Sequence, residues 1–281
     1  MTLDQVVSGI LYLIAVFILF VMGKWVYDKT HPAFRIKEEL VEKDNMALAV
    51  DLMGYYLGLV FALGGILEGP SVGIVDDLLD IFFFGAVSIL LLNLSMFINN
   101  RMILPRFDNY KEIIEDQNVG TGVVQAGNHI AIGLIIYGAV SGQGGDLITA
   151  AVFWILGQLG LILAAKVYNT ITPFDIHDAI EKDNVAVGVA FAGVLVALGN
   201  IIRLGTMGDF YSWRVNLTGY GQYYLFGIVM LPVVRMATDK LLLPGARLTD
   251  EVVHQQHPNV GAGILEAFSY IAASWLLGWI V

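Results

Sequence analysis

Cysteine is absent from this chain of 281 residues, and charged residues make up only 14% of it. Without thiols, the chain can form neither disulfides nor thiolate metal centres. Soluble domains carry about 25% charged residues, so the scarcity of charge excludes a water-soluble globule. The formal charge of −10 also excludes nucleic acid as a partner, because that requires a clustered basic surface.

Apolar residues occupy the space that charge leaves, at 57% of the chain. A membrane-spanning helix needs about 20 apolar residues, and the backbone groups of each span must be satisfied within it. We therefore predict an all-α, polytopic membrane helix bundle of about eight transmembrane helices, with the lipid bilayer as its surroundings. The predicted spans are 6–23, 46–67, 81–98, 119–141, 147–165, 185–205, 215–237 and 260–281.

An internal repeat divides the chain into two halves. Residues 25–50 match residues 166–190, since both contain Val-Tyr, a proline, a phenylalanine and Glu-Lys-Asp-Asn before an apolar run. The two asparagines, Asn45 and Asn184, are 139 residues apart, and residues 117–122 recur at 258–263 with an offset of 141. Leu104-Pro105 likewise recurs as Leu243-Pro244. The pattern predicts two four-helix repeats, at 1–140 and 141–281.

Each even-numbered span begins at an asparagine, and a polar segment precedes that asparagine. Asparagine is a favoured N-cap because its side chain accepts a hydrogen bond from an otherwise unpaired backbone N–H. The four predicted caps are Asn45, Asn118, Asn184 and Asn259. The polar segments are predicted to contain short helices on the membrane surface, one of them starting at Thr172 with Pro173 in its first helical position.

Lysine and arginine are distributed unevenly between the two sides of the predicted bundle. Of the 15 such residues, 13 lie in or beside the polar segments, and only Arg203 and Arg214 lie on the other side. The positive-inside rule makes the polar segments cytoplasmic and both termini periplasmic. Because each repeat has an even number of spans, the two repeats are predicted to be parallel, related by an axis along the membrane normal.

The duplicated four-helix unit, with Glu-Lys-Asp-Asn after an interfacial stretch, resembles a bacterial family called domain of unknown function 350, here in a tandem-duplicated form. The resemblance extends over essentially the whole chain. It implies a helical fold in the bacterial inner membrane, and it supplies no catalytic residues.

Glycine and intramembrane polar residues concentrate in the even-numbered spans. Small residues let membrane helices approach closely, so we predict that these spans lie at the centre and the odd-numbered ones face lipid. Asp51, Gln125 and Glu266 all lie roughly 10 Å into the membrane from the polar-segment side, whereas the sixth span has Phe191 at that depth. Asn128 and His129 lie deeper in the fourth span.

These residues form a candidate intramembrane polar site, for which three interpretations remain open. Two carboxylates beside a histidine could bind a cation or relay protons, because ionisable groups in a membrane often mark ion pathways. Asp51 and Glu266 could instead be hydrogen-bonded packing groups, or protonated ones, that join the two repeats. A metal site of Asp51, His129 and Glu266 is possible in ligand type, but it lacks any close ligand spacing, and no metal or cofactor is predicted.

The first functional hypothesis is therefore a channel or carrier for a cation or small solute, along a path lined by the even-numbered spans. The second is a membrane scaffold whose segments 34–44 and 174–183 recruit a cytoplasmic protein. An enzyme ranks third, since no paired nucleophile and base can be located. The oligomeric state is left open, with a homo-oligomer as one alternative.

Overall fold

The computed structural model of the chain describes residues 3–68, 71–243 and 245–280. Met1, Pro244 and Val281, on which some of the predictions rest, lie outside the described residues. Within those ranges the chain forms eight long α-helices and two short ones, together with three π-helical turns in the first and fourth polar segments (Glu38–Glu42, Thr238–Leu242 and Asp250–His254). The α-helices are α1 (Leu3–Thr30), α2 (Met46–Leu67), α3 (Ile74–Met102), the short α4 (Asn109–Ile114), α5 (Val119–Val140), α6 (Leu147–Ile171), the short α7 (Ile176–Glu181), α8 (Val185–Thr206), α9 (Trp213–Ala237) and α10 (Val260–Ile280).

The long helices confirm the predicted polytopic helix bundle. Seven of them are long and apolar enough to cross a membrane. The eighth predicted span, α9, is a helix of 25 residues that falls short in hydropathy, because polar residues such as Asn216 and Gln222 interrupt its first half. It packs against α8 and α10, and with α10 it forms the fourth helical hairpin.

Four helical hairpins follow one another, α1–α2, α3–α5, α6–α8 and α9–α10, and each is joined by one of the polar segments (31–44, 103–117, 172–183 and 238–258). In the first three segments the residue before the asparagine has a left-handed backbone: Asp44, Gln117 and Asp183 have φ of 51°, 50° and 55°. The fourth segment has Pro258 there, whose ring forbids a positive φ.

The predicted start of the short helix at Thr172 is wrong. Thr172 ends α6, and its hydroxyl donates to the carbonyl of Tyr168 at 3.2 Å. Asp175 is the N-cap of α7, because its carboxylate accepts hydrogen bonds from the backbone of His177 and Asp178. Asp108 caps α4 in the same way. A carboxylate at an N-cap satisfies free N–H groups directly, and it outweighs the preference of proline for the first turn.

The second, fourth, sixth and eighth spans are α2, α5, α8 and α10, and these four helices form an open row in that order. A Cβ added at Gly54, Gly127 or Gly193 would lie 2.2 to 2.6 Å from an atom of Ala126, Ala192 or Ala267 on the next helix of the row. Such contacts require glycine, because no side chain fits between the backbones. These glycines all lie nine residues after the asparagine of their own helix.

Large residues replace the small ones at the two ends of this row. On α2, the position equivalent to the three alanines is Met53, which is 46% exposed. On α10, the position equivalent to the three glycines is Phe268, which is 61% exposed. The predicted central position therefore holds for α5 and α8, which are the most buried spans. It does not hold for α10, which is more exposed than α6, the fifth span, although α6 was predicted to face lipid. The reason is that α10 has an even-numbered neighbour on one side only.

Candidate functional site

Asp51 and His129 form a buried pair between α2 and α5. Asp51 Oδ1 lies 3.4 Å from His129 Nδ1, and both side chains are only 2% exposed. The hydroxyl of Tyr27, on α1, donates to Asp51 Oδ2 at 3.0 Å. Neither ring nitrogen of His129 has a hydrogen-bond partner among the described residues. We call Tyr27, Asp51 and His129 the first-repeat cluster.

A cavity of about 920 Å³ opens beside this cluster, where α1, α3 and α4 meet the first two polar segments. His31 lies between the cavity and the cluster: it lines the cavity, its ring stacks on that of Tyr27 with centroids 4.2 Å apart, and it is hydrogen-bonded to the Tyr110 hydroxyl. Burial lowers the pKa of His31, although its hydrogen bond to the Tyr27 carbonyl opposes this. His31 and Tyr110 thus lie between the cavity and the cluster, whose own residues do not line the cavity.

Glu266 belongs to a different cluster, in the second repeat. The hydroxyl of Tyr168 donates to Glu266 Oε1 at 2.8 Å, and the guanidinium of Arg235, on α9, forms an ion pair with the same oxygen. Tyr270 closes the cluster by packing its ring edge against Tyr168. We call Tyr168, Arg235, Glu266 and Tyr270 the second-repeat cluster. Its carboxylate has a permanent cationic partner, whereas Asp51 has only a histidine.

Asn128 belongs to neither cluster. Its Oδ1 accepts a hydrogen bond at 2.9 Å from Nδ2 of Asn99, on α3, and the same Nδ2 also donates to Gln158 Oε1, on α6, at 3.1 Å. All three side chains are buried. Since α6 begins the second repeat, these amides join the two halves by hydrogen bonds. One interpretation of the sequence gives this role to Asp51 and Glu266 instead.

The five residues of the candidate polar site therefore do not converge. Asp51 and His129 are together, Asn128 joins the repeats, and Glu266 lies at the other end of the row. Gln125 is 5% exposed, and its Oε1 has no hydrogen-bond partner among the described residues. The three-residue metal site fails for the same reason, because α5 and α8 separate α2 from α10. The part of the chain that the structure describes contains no group of three potential metal ligands.

The four asparagines each cap their helix through the backbone N–H three residues on, and the amides of the first three also reach forward along the row. Nδ2 of Asn45 donates to the Ile113 carbonyl, that of Asn118 to Ile180 and that of Asn184 to Val252, at 2.8 to 2.9 Å. Each amide thereby joins its own helix to the next polar segment.

An ion-pair network holds the second and third polar segments together. Arg106 contacts the carboxylates of Asp175 and Asp178, each at 2.8 Å. Burial alone would raise the pKa of Asp175, but hydrogen bonds from the Asp178 backbone and from Arg106 lower it below its usual range. The network joins the segment that contains α4, which packs against α5, to the segment that contains α7, which packs against α5 and α8.

Comparison with known proteins decides the family. The family described as Domain of Unknown Function (DUF350) matches the chain twice, over residues 1–140 and again over 144–281. The chain belongs to the DUF350 family. A curated protein called UPF0719 transmembrane protein, from Aquifex aeolicus (strain VF5), is 21% identical over 270 residues, which cover 94% of this chain and 97% of that protein. No solved structure is a significant match.

The residues of this DUF350 chain that sequence reasoning missed are the tyrosines and Arg235. Tyr27 and Tyr168 stand in the repeated Val-Tyr motif, and each donates its hydroxyl to the buried carboxylate of its repeat. The repetition of the motif was the signal that could have identified them. Arg235 carried no such signal, because a basic residue near the end of a span is ordinary.

Proposed function

We propose that this protein transports a cation across the membrane and that the first-repeat cluster is its binding site. The buried pair of Asp51 and His129 beside an open cavity supports this function best. An ionised carboxylate at this depth costs at least a few kcal/mol unless a positive charge accompanies it. Asp51 has no lysine or arginine within 4 Å among the described residues. The positive charge must therefore come from protonation of His129 or from a bound cation.

The proposed site serves protons or a larger cation through the same groups. Uncharged His129 has a free ring nitrogen that accepts a proton, and Asp51 stabilises the resulting imidazolium. Tyr27 holds Asp51 in place from the other side. The cavity provides the entrance on the polar-segment side, next to His31 and Tyr110.

Purified protein in liposomes tests this proposal. Fluxes of protons, Na⁺ and K⁺ are measured for the wild type and for Asp51→Asn, and we expect at least one flux to fall about tenfold or more in the variant. Asp28→Asn is the matched control, because Asp28 is an exposed carboxylate on α1 paired with Lys24. If no cation is carried, or if Asp51→Asn leaves the flux intact, the proposed site is wrong. A stable partner protein together with no flux would favour the scaffold role instead.

We also propose that the chain lies in the bacterial inner membrane with its polar segments in the cytoplasm and both termini in the periplasm. The excess of lysine and arginine on the polar-segment side supports this orientation. Since the chain has no cysteine, single cysteines can report it. Cysteines at Lys111 and His254 should resist an impermeant thiol reagent in intact cells, and one at Gln143 should react. The opposite pattern would reverse the orientation.

A further inference from the structure

The two repeats place different side chains around equivalent tyrosines. Tyr27 in the first repeat corresponds to Tyr168 in the second, through the shared Val-Tyr motif. His129 corresponds to Tyr270, because each lies eleven residues after the asparagine of its helix. The carboxylate comes from α2 in the first repeat and from α10 in the second, yet each accepts a hydrogen bond from the equivalent tyrosine hydroxyl.

Arg235 of the second repeat corresponds to Met96 of the first. Leu104-Pro105 and Leu243-Pro244 fix an offset of 139 residues between α3 and α9. The same offset relates Ile113 to Val252, whose carbonyls accept equivalent asparagine amides. Met96 is buried and lines the cavity of the first repeat. The first repeat therefore has an apolar side chain at the edge of a cavity where the second repeat has a guanidinium.

The surroundings of Arg235 show what such a place accommodates. The guanidinium contacts the Glu266 carboxylate, donates to the Thr249 hydroxyl at 3.3 Å, and lies 6.0 Å and 5.9 Å from the ring centres of Tyr168 and Phe174. A planar, weakly hydrated cation suits a carboxylate flanked by aromatic rings. Equivalent rings exist in the first repeat, where Tyr27 contacts Asp51 and Phe34 lines the cavity.

We propose that the cavity between α1, α3 and α4 admits a small organic cation of the guanidinium class to Asp51, and that Arg235 is the built-in occupant of the equivalent place in the second repeat. This inference rests on the proposed function and names its substrate class. Nε2 of buried His129 has no hydrogen-bond partner among the described residues, which is a further sign of an incomplete site. The cavity wall is balanced in charge, with Asp108 and Glu115 against Arg101 and Lys111, so it does not select anions.

The hydrogen-bonded pair of His31 and Tyr110 lies on the path from the cavity to Asp51. In the second repeat the equivalent residues are the smaller Thr172 and Thr249, and Arg235 donates to Thr249 on its way to Glu266. The pair in the first repeat therefore has to open before a cation from the cavity reaches Asp51.

Calorimetric titration of the whole purified chain with methylguanidinium tests the inference by stoichiometry. We expect one binding site in the wild type, none in Asp51→Asn, and one in the control Asp28→Asn. Arg235→Ala vacates the second-repeat cluster and should add a site, giving two per chain. Asp51→Asn combined with Arg235→Ala should return the number to one. Met96→Arg should fill the first repeat and weaken binding there at least about tenfold.

The outcomes separate this inference from the function on which it rests. If the wild type and Arg235→Ala both bind no methylguanidinium, or if binding to the wild type survives Asp51→Asn, the inference is wrong. Should Asp51→Asn nevertheless abolish proton or alkali-cation flux, the proposed function still holds. The Arg235→Ala arm keeps the test decisive if Met96→Arg fails to fold.

Discussion

At the scale of single residues, Asp51 and Glu266 differ in what compensates their charge. Both are buried carboxylates, and each accepts a hydrogen bond from a tyrosine hydroxyl. Arg235 is permanently charged, whereas His129 carries charge only when protonated. The position of each carboxylate along its helix could be counted in the sequence, six residues after the capping asparagine for Asp51 and seven for Glu266. Their partners were not predictable, because those depend on which helices become neighbours.

Asn118 is expected to matter more for stability than Asn259. Both cap a helix and donate to a nearby glutamate carboxylate, but the amide of Asn118 also donates to the buried carbonyl of Ile180. Replacing a cap with alanine costs about 1 kcal/mol, and losing the forward hydrogen bond adds about 0.5 to 1.5 kcal/mol, since the Ile180 carbonyl keeps the Asp183 N–H as a donor. Thermal unfolding in detergent should show a clearly larger loss for Asn118→Ala. Equal losses would mean that the forward hydrogen bond adds nothing.

His31 is expected to make the protein less stable in acid. Its pKa is lowered in the folded state because the side chain is buried, while the unfolded value is about 6.5. The unfolded state therefore binds more protons below that pH, and the contribution of His31 to stability is lost as pH falls through the folded pKa. The groups that act on it are Tyr27, Asp28, Asp51, Tyr110 and His129.

The measurement for His31 is the unfolding temperature between pH 8 and pH 4.5, compared with that of His31→Asn. Carboxylates contribute to both curves, so the difference between them isolates His31. We expect the stability curve of the variant to be flatter below pH 6.5. Parallel curves over the whole range would show that His31 does not titrate on unfolding.

At the scale of helices, the close approach of α5 to its neighbours depends on glycine. Gly127→Val forces a side chain against Ala192, because even a Cβ added at Gly127 would lie 2.6 Å from the Cβ of Ala192. Overpacking costs about 1 to 3 kcal/mol, and this contact is at the upper end because the obstacle includes backbone. Gly221→Val is the control, since an added Cβ there meets nothing within 4 Å on α9. If both substitutions lower the free energy of unfolding only slightly, the close packing of α5 against α8 is contradicted.

The bounds of α2, α5, α8 and α10 were predictable to within one residue, because the repeated asparagines mark their starts. Helices α1, α3 and α6 extend up to seven residues beyond the predicted spans 6–23, 81–98 and 147–165, because hydropathy marks only the apolar part of a helix. Thr172 was misread because proline is common in a first helical turn, whereas the carboxylate of Asp175 two residues later makes the stronger cap. The length of α9 was predicted correctly, although its polar first half makes it the least apolar of the eight long helices.

At the scale of the whole molecule, the order of the central helices is an open row. The sequence predicts glycine-bearing spans inside and bulky spans outside, and that division holds for α5 and α8. Whether four similar helices form a ring or a row depends on the shape of every interface at once. Met53 and Phe268 favour a row, because each puts a large side chain where the equivalent positions on the other helices of the row have alanine or glycine.

A row with obstructed ends has a consequence for the chain when it is cut. Separately expressed fragments 1–143 and 144–281 would each have one smooth flank, on α5 and on α8, and one obstructed flank, at Met53 or Phe268. Head-to-tail contacts normally propagate into filaments, but here each fragment can be joined only once. Light scattering of the co-purified fragments should therefore give a discrete 1:1 complex, with neither fragment polymerising alone, and long oligomers of either fragment would refute this.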